Sequence, residues 1–341
     1  MSTYYGTYGQ KVQYLSSDPS PVQIGQVWYN STSATLKVRA TNATAVWTSG
    51  GTYPFALNWN AVAGSQTAGI AAGGYNPGPA STGSTAANTY NGTSWTAAPS
   101  LGAAIYYNSI MGTSTAALSA NGTPPGPGTL ASEKYNGSSW TSAGSLSQAR
   151  SSGGRIGTSS AALMAGGFSA GANTAITTCE SYNGSSWSSS TALPTRRTVY
   201  NCSGGPQTAA ITFGGYEGGP TGGPDSILTQ SWNGASWTTL NNLNTARRSS
   251  GGDGTLTNAF YAGGGTGVTT TEYYNGSTWA TSTAMPTAVY GAGGTGGSVA
   301  GGTGGTLGFI LGGATTPGTQ QTSTQIWNGV GSAGTKTVTT T

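Results

Sequence analysis

A six-residue motif, aromatic-Asn-Gly-x-x-Trp, recurs through this chain and dictates how it can fold. It occurs five times, beginning at Tyr90, Tyr135, Tyr182, Trp232 and Tyr274 and ending at Trp95, Trp140, Trp187, Trp237 and Trp279. A sixth start, Trp327-Asn328-Gly329, lacks its closing Trp. The start-to-start spacings are 45, 47, 50, 42 and 53 residues. A second motif alternates with it, a short apolar run ending in Gly-Gly, at Gly73-Gly74, Gly166-Gly167, Gly214-Gly215, Gly263-Gly264 and Gly312-Gly313, with Asn121-Gly122 as a degenerate sixth copy. Repetition at this period implies an array of like units that bury their cores against one another.

The chemistry of one unit follows from its residues. A run such as Ala161-Ala-Leu-Met-Ala165 reads as a small buried strand. Gly-Gly lets the backbone turn or approach a neighbour closely. A Thr-rich alternating strand follows, near Thr177 to Tyr182. Asn-Gly is a strong hairpin signal because both residues tolerate positive φ. The next strand carries the Trp, and another short strand is expected near Arg197 to Ser203. Four short strands per unit is the pattern of a propeller blade. Gly-Gly, an aromatic, Trp, then segments such as Leu193-Pro-Thr-Arg-Arg197 and Asn244-Thr-Ala-Arg247 resemble the kelch repeat over residues 47–330. The aromatic-to-Trp spacing here is slightly shorter than is usual in that family. The resemblance implies an all-β, six-bladed kelch-like β-propeller and, by itself, no particular function.

A circular array must close or leave two open sheet edges. Trp47 lies 26 residues before Gly73, as Trp140 lies 26 before Gly166. The strand around Ala45 to Ser49 is therefore expected to complete the last blade, beside Trp327. Residues 335–341 form an alternating segment that competes for that place. The expected organisation is an N-terminal arm over 1–46, the propeller over 47–330, and a C-terminal strand or tail over 331–341.

The arm departs from the repeat. Gly25-Gln-Val-Trp-Tyr-Asn30, Ser-Thr-Ser-Ala and Thr35-Leu-Lys-Val-Arg39 read as a β-hairpin, with Asp18-Pro-Ser-Pro21 as a stiff linker ahead of it. The segment resembles a short β-module of bacteriophage tail-fibre and other virion proteins. That resemblance implies an attachment or oligomerisation arm; its plain alternative is an extra hairpin covering the side of the propeller. Tyr4, Tyr5, Tyr8 and Tyr14 would be costly to leave in solvent.

Composition removes several chemistries. The chain has no His, which excludes a Ser-His-Asp triad, a His general base and the copper site of galactose-oxidase-like propellers. Two Cys make neither a disulfide scaffold nor a Cys₄ zinc site, and Cys179 and Cys202 read as buried thiols. Only 5% of residues are charged, the net charge is +4, and no basic run exists, so no nucleic-acid partner is expected. No apolar run is long enough for a membrane-spanning helix. The first eight residues lack the basic and apolar regions of a secretory signal. No cofactor and no metal are expected.

The motif aromatics, recurring in every unit, read as packing between units rather than as a sugar platform. Glu133, Glu180 and Glu272 stand two residues before the motif aromatic, where other copies have Gln230, Gln325 and Asn88. Interchange with amides indicates hydrogen bonding, not proton transfer. Arg150, Arg197 and Arg247 each follow their Trp by ten residues, while Ile105 and Val289 occupy that register elsewhere. With nearby Arg155 and Arg248 they form the candidate ligand-binding set, a basic arc able to hold a glycan carboxylate or sulfate through paired donors. The competing role is inter-blade hydrogen bonding to loop carbonyls. Three arginines on six blades also resemble a sialidase arrangement, but its sequence boxes are absent and the acid residues are too few for its catalytic dyad. No catalytic residues are expected. The combined expectation is a non-enzymatic structural or adhesive protein of a bacteriophage virion: a tail fibre, spike or surface appendage. It would join other virion proteins through the arm and bind host surface glycan through the propeller face. The alternatives are a non-virion kelch-type module binding protein or carbohydrate, and a secreted glycan-active enzyme.

Overall fold

The computed structural model describes residues 12–20, 25–41, 44–76, 82–123, 128–219, 222–249, 251–265, 267–295, 307–315, 319–329 and 333–337. Tyr4, Tyr5, Tyr8, Pro21 and residues 338–341 lie outside the described residues. All regular structure among the described residues is β. The chain forms two compact units, Met1–Ala45 with Asn328–Thr341, and Val46–Trp327.

The larger unit carries six four-stranded antiparallel sheets. The first runs Ala61–Ser65, Ala68–Ala72, Ala87–Tyr90, Trp95–Ala98 from inner to outer edge. The second to fifth repeat this order, with innermost strands Ser109–Thr113, Gly154–Gly157, Ser203–Gly204 and Gly251–Gly254. The sixth runs Gly293–Thr295, Leu307–Leu311, Thr324–Asn328 and then Val46–Ser49. The innermost strands touch in cyclic order, and that of the sixth sheet touches that of the first.

The two candidates for the place beside Trp327 separate cleanly. Val46–Ser49 takes it, and Ala333–Thr337 pairs instead with Thr35–Thr41. Trp47 supplies the missing sixth partner: its ring lies 5.1 Å from Trp327. In the five complete motifs the aromatic–Trp distances are 4.8, 5.0, 5.0, 5.1 and 5.2 Å. Each Trp also donates its indole N–H to the preceding sheet. Trp140 reaches Pro99 O at 2.9 Å, Trp187 reaches Ser132 Oγ at 3.1 Å, and Trp237 reaches Thr191 O at 3.0 Å. Trp279 reaches Thr229 Oγ1 at 2.9 Å, Trp47 reaches Thr271 Oγ1 at 3.1 Å, and Trp95 closes the circuit on Thr324 Oγ1 at 2.9 Å. The motif aromatics therefore pack sheet against sheet. One such seam combines a hydrogen bond worth about 1 kcal/mol with an aromatic pair worth about 0.5–1.5 kcal/mol.

The hairpin and the Gly-Gly corner divide their tasks by residue type. In Asn-Gly-x-x only the glycine has positive φ, for example +97° at Gly184. The asparagine works through its side chain: Asn183 Oδ1 accepts the N–H groups of Ser185 and Ser186 at 3.0 and 2.9 Å. This differs from the expectation of positive φ at both, because an Asx turn lets Asn stay on the allowed side. At Gly-Gly both residues are left-handed, +58° and +115° at Gly166 and Gly167. A Cβ on Gly166 would stand 2.4 Å from Arg197 O, so the close approach admits only glycine. The second glycine donates to the connector of the next sheet: Gly74 to Ile105 O, Gly122 to Arg150 O, Gly167 to Arg197 O, Gly215 to Arg247 O, Gly264 to Val289 O and Gly313 to Leu57 O. The core lies in the seams, as where Val62 and Tyr90 of the first sheet meet Phe309 and Ile326 of the sixth. Cys179 and Cys202 are free, buried thiols, and burial pushes Cys202 up to about 12.

The smaller unit contains the expected hairpin, Val27–Asn30 against Thr35–Thr41. Gln13–Leu15 adds in parallel on one side and Ala333–Thr337 in antiparallel on the other. Asp18 organises it. Its Oδ1 accepts from the buried Trp28 indole at 3.0 Å and Asn30 Nδ2 at 2.7 Å, and Lys37 Nζ lies 2.8 Å from Oδ2. The Lys37 ammonium, then Asn30 and Trp28, hold the Asp18 carboxyl down at about 2.

Candidate functional site

The five sequence-nominated arginines divide into three roles. Arg150, Arg197 and Arg247 are buried, the first two at 0% exposure. Each lies on the connector into a sheet and crosses to that sheet's second and third strands. Arg150 donates to Gly166 O, Thr178 O and Glu180 Oε1 at 3.0, 2.7 and 2.6 Å. Arg247 repeats this with Gly263 O, Thr270 O and Glu272 Oε1 at 3.1, 2.8 and 2.8 Å. Arg197 meets Gly214 O, Leu228 O and Gln230 Oε1 at 3.0, 2.7 and 2.7 Å. Facing a neutral amide, it is pulled down by burial to about 10. These guanidiniums point inward to carbonyls and carboxylates. That geometry matches the hydrogen-bonding alternative rather than an open anion-binding arc.

The Glu/Gln/Asn interchange follows hydrogen-bond donors on the connector. The position that correlates with it is the residue seven after each Trp. Where it has an N–H, the partner is Glu: Gly102 N donates to Glu133 at 3.0 Å, Ser147 N to Glu180 at 2.7 Å and Asn244 N to Glu272 at 2.7 Å. Where it is proline, at Pro54, Pro194 and Pro286, the partner is Asn88, Gln230 or Gln325. A buried carboxylate needs its oxygens satisfied, and proline has no donor to give.

Arg155 sits on the innermost strand of the third sheet and spans the centre. It donates to Val62 O in the first sheet and to Gly252 O in the fifth at 2.7 Å, with Asp253 Oδ2 at 3.9 Å. Tyr200 OH reaches Asn60 O at 2.7 Å, and Asn201 Nδ2 reaches Ala292 O at 3.1 Å. The axis is thus filled by polar bridges between strands of different sheets.

Only Arg248 of the set opens onto solvent, with a side chain 46% exposed. It borders a cleft of about 460 Å³ lined by Trp59, Tyr107, Ser151, Ser152, Phe168, Thr198, Tyr216, Arg248 and Ser249. The cleft rests on a set of six left-handed backbone positions, five of them linked by backbone hydrogen bonds. Trp59, Tyr107, Ser152, Asn201 and Ser249 hold φ between +53° and +56°, and Gly291 holds +65°. Each stands two residues before an innermost strand. Trp59 N donates to Gly291 O at 2.6 Å, Tyr107 N to Trp59 O at 3.1 Å, Ser152 N to Tyr107 O at 2.9 Å, and Gly291 N to Ser249 O at 2.7 Å. Positive φ at Trp and Tyr is a strained choice that the surrounding bonds maintain. The rings support one another: Trp59 lies 4.6 Å from Tyr107 and 6.2 Å from Tyr200. Arg248 lies 4.4 Å above the Tyr216 ring and 3.1 Å from Asp225 Oδ1. Burial raises the Asp225 carboxyl despite that guanidinium, and burial also raises the Tyr107 hydroxyl above its ordinary range.

Sequence reasoning had Arg248 but not Trp59, Tyr107, Phe168 or Tyr216. Their signal is irregularity: Trp59 and Tyr107 stand where other units carry Ser, Asn or Gly, and Phe168 and Tyr216, like Tyr75, stand where the remaining units carry Thr, Gly or Ala. No group of three or more potential metal-binding side chains occurs among the described residues.

No protein-family model matches the chain, and no curated protein matches it. Among solved structures, the chain is similar to that of YjhT, with a TM-score of 0.63 at 12% sequence identity, over 80% of this chain and 95% of that one. At this identity the likeness is one of fold. The chain is an all-β protein of β-propeller-like architecture.

Proposed function

We propose that the chain is a six-bladed, kelch-like β-propeller borne on a bacteriophage virion, where it serves as a structural and adhesive fibre, spike or surface appendage. The smaller unit, with its exposed Tyr14 stacked 5.1 Å from Tyr29, is the attachment arm to other virion proteins. The cleft face is the adhesive surface for host glycan. The observation that carries this reading is the cleft lining, with four aromatic rings, hydroxyl groups and one guanidinium but, among the described residues, no carboxyl group. Such a lining suits recognition better than acid–base chemistry. It moves the glycan-binding role from the buried arginines to Arg248 and its aromatic neighbours.

Cryo-EM of particles from the source tests the reading. Six-bladed discs tethered to a capsid or tail through residues of the smaller unit are expected. Abundant free protein with no copy on any particle would overturn the virion role and favour a non-virion binding module.

A further inference from the structure

The charge and shape of the cleft narrow the ligand, and this step rests on the cleft face being the binding face. Arg248 does not offer a free positive charge. Asp225 Oδ1 lies 3.1 Å from its Nη1, and the guanidinium is spread over the Tyr216 ring at 4.4 Å. Among the described residues no other charged residue lines the cleft. A carboxylated or sulfated ligand would have to displace Asp225 from Arg248, exchanging one anion for another with little gain. A neutral ligand leaves the ion pair as it stands and takes guanidinium N–H groups of Arg248 as donors. The hydroxyls of Thr198 and Ser249 add groups that both donate and accept.

The rest of the lining is apolar and held in place. Trp59, Tyr107, Phe168 and Tyr216 are partly exposed and present ring surface around the cleft. Trp59 and Tyr107 are fixed by the linked left-handed backbone positions, so little ordering cost remains for binding. The volume of about 460 Å³ falls within the usual range of small-ligand sites. A pyranose has the matching anatomy: an apolar C–H face for an aromatic ring and an edge of adjacent hydroxyls for donor and acceptor groups. We infer that the cleft binds a neutral sugar residue, its C–H face on the aromatic wall and its hydroxyls on Arg248 and the Thr198 and Ser249 hydroxyls.

The test uses the full chain against immobilised neutral oligosaccharides of glucose, galactose and N-acetylglucosamine. Glucuronate- and sialate-terminated oligosaccharides serve as acidic probes. Binding is read at low and high salt, alongside adsorption to host cells. Neutral probes are expected to bind with affinity that changes less than about twofold with salt, since no net charge is being screened. Arg248→Gln and Tyr216→Ala should each weaken binding by about tenfold or more. Arg248 is exposed, so its variant keeps the fold even if the tyrosine variant does not. Binding confined to acidic probes and suppressed by salt would overturn the inference, as would neutral binding unchanged by Arg248→Gln. Protein that adsorbs to cells while neutral sugars neither bind nor compete would overturn the inference and leave adhesion standing. Sugar binding without any adsorption would overturn adhesion and leave the inference standing.

Discussion

Exchanging the proline–amide pair of the fourth sheet for the N–H–carboxylate pair of its neighbours should expose an energetic coupling. In the third and fifth sheets a glutamate accepts a guanidinium on one oxygen and a backbone N–H on the other, at 2.6 and 2.7 Å for Glu180 and at 2.8 and 2.7 Å for Glu272. In the fourth, Gln230 meets Arg197 at 2.7 Å and Pro194 has no N–H. Gln230→Glu alone gives Arg197 a counter-charge but leaves one carboxylate oxygen without its backbone donor. Pro194→Ala alone creates an N–H that faces an amide rather than a carboxylate. Together they rebuild the neighbouring arrangement. The restored charge-assisted hydrogen bond sets the coupling at about 1.5–3 kcal/mol. The unfolded-state effect of losing proline, about 0.4–1 kcal/mol, cancels in the cycle. Urea denaturation of the parent, both single variants and the double variant at pH 7 gives the interaction energy. A coupling under about 0.5 kcal/mol, the usual scatter for independent sites, would refute the hydrogen-bonding account of the interchange.

Other perturbations follow from the same contacts. Trp47→Ala removes a ring packed on Trp327 and an indole donor to Thr271 and Thr283, and should cost about 2–4 kcal/mol in denaturant unfolding. Gly166→Ala should destabilise by about 1–3 kcal/mol, because the corner is left-handed and the Cβ meets Arg197 O. Gly171→Ala, where a Cβ meets nothing, should stay within about 0.5 kcal/mol in the same assay. Arg155→Met leaves Val62 O, Gly252 O and the buried Asp253 without the guanidinium, and should cost about 3–5 kcal/mol in thermal unfolding. Asp18 has a folded-state value of about 2, below the ordinary carboxylate range. Its contribution to the smaller unit is therefore fully present above about pH 4 and lost as pH falls through about 2. The Trp28 indole N–H signal in NMR should stay protected at pH 5 and lose protection in that acid window, and full protection at pH 1.5 would contradict the linkage.

The sequence made the repeat legible because every unit must solve the same packing problem. An aromatic–Trp pair and a Gly-Gly corner recur wherever one sheet meets the next. Trp47 was legible for the same reason, as a motif residue displaced to the other end of the chain. The pairing of proline with amide and of N–H with carboxylate was also written in the sequence, but only contacts between connector and third strand give it meaning. The cleft was hidden because it breaks the repeat. Trp59 and Tyr107 share a register with Ser152 and Ser249. The arginine register leaves both roles open in the sequence, since guanidiniums serve buried carbonyls as readily as ligands. Residues 335–341 compete in the sequence for the closing place because an alternating pattern carries no record of its partner.

Hydrogen exchange at the junction of the two chain ends bears most directly on the ring. Gly50 N donates to Thr324 O at 2.8 Å, and the Trp47 indole donates to Thr271 Oγ1 at 3.1 Å. If residues 46–49 complete the sixth sheet, these protons exchange only through global opening, as slowly as the backbone amides of the Gly-Gly corners. Exchange at Gly50 and Trp47 orders of magnitude faster than at those corners would show an open ring and contradict the account.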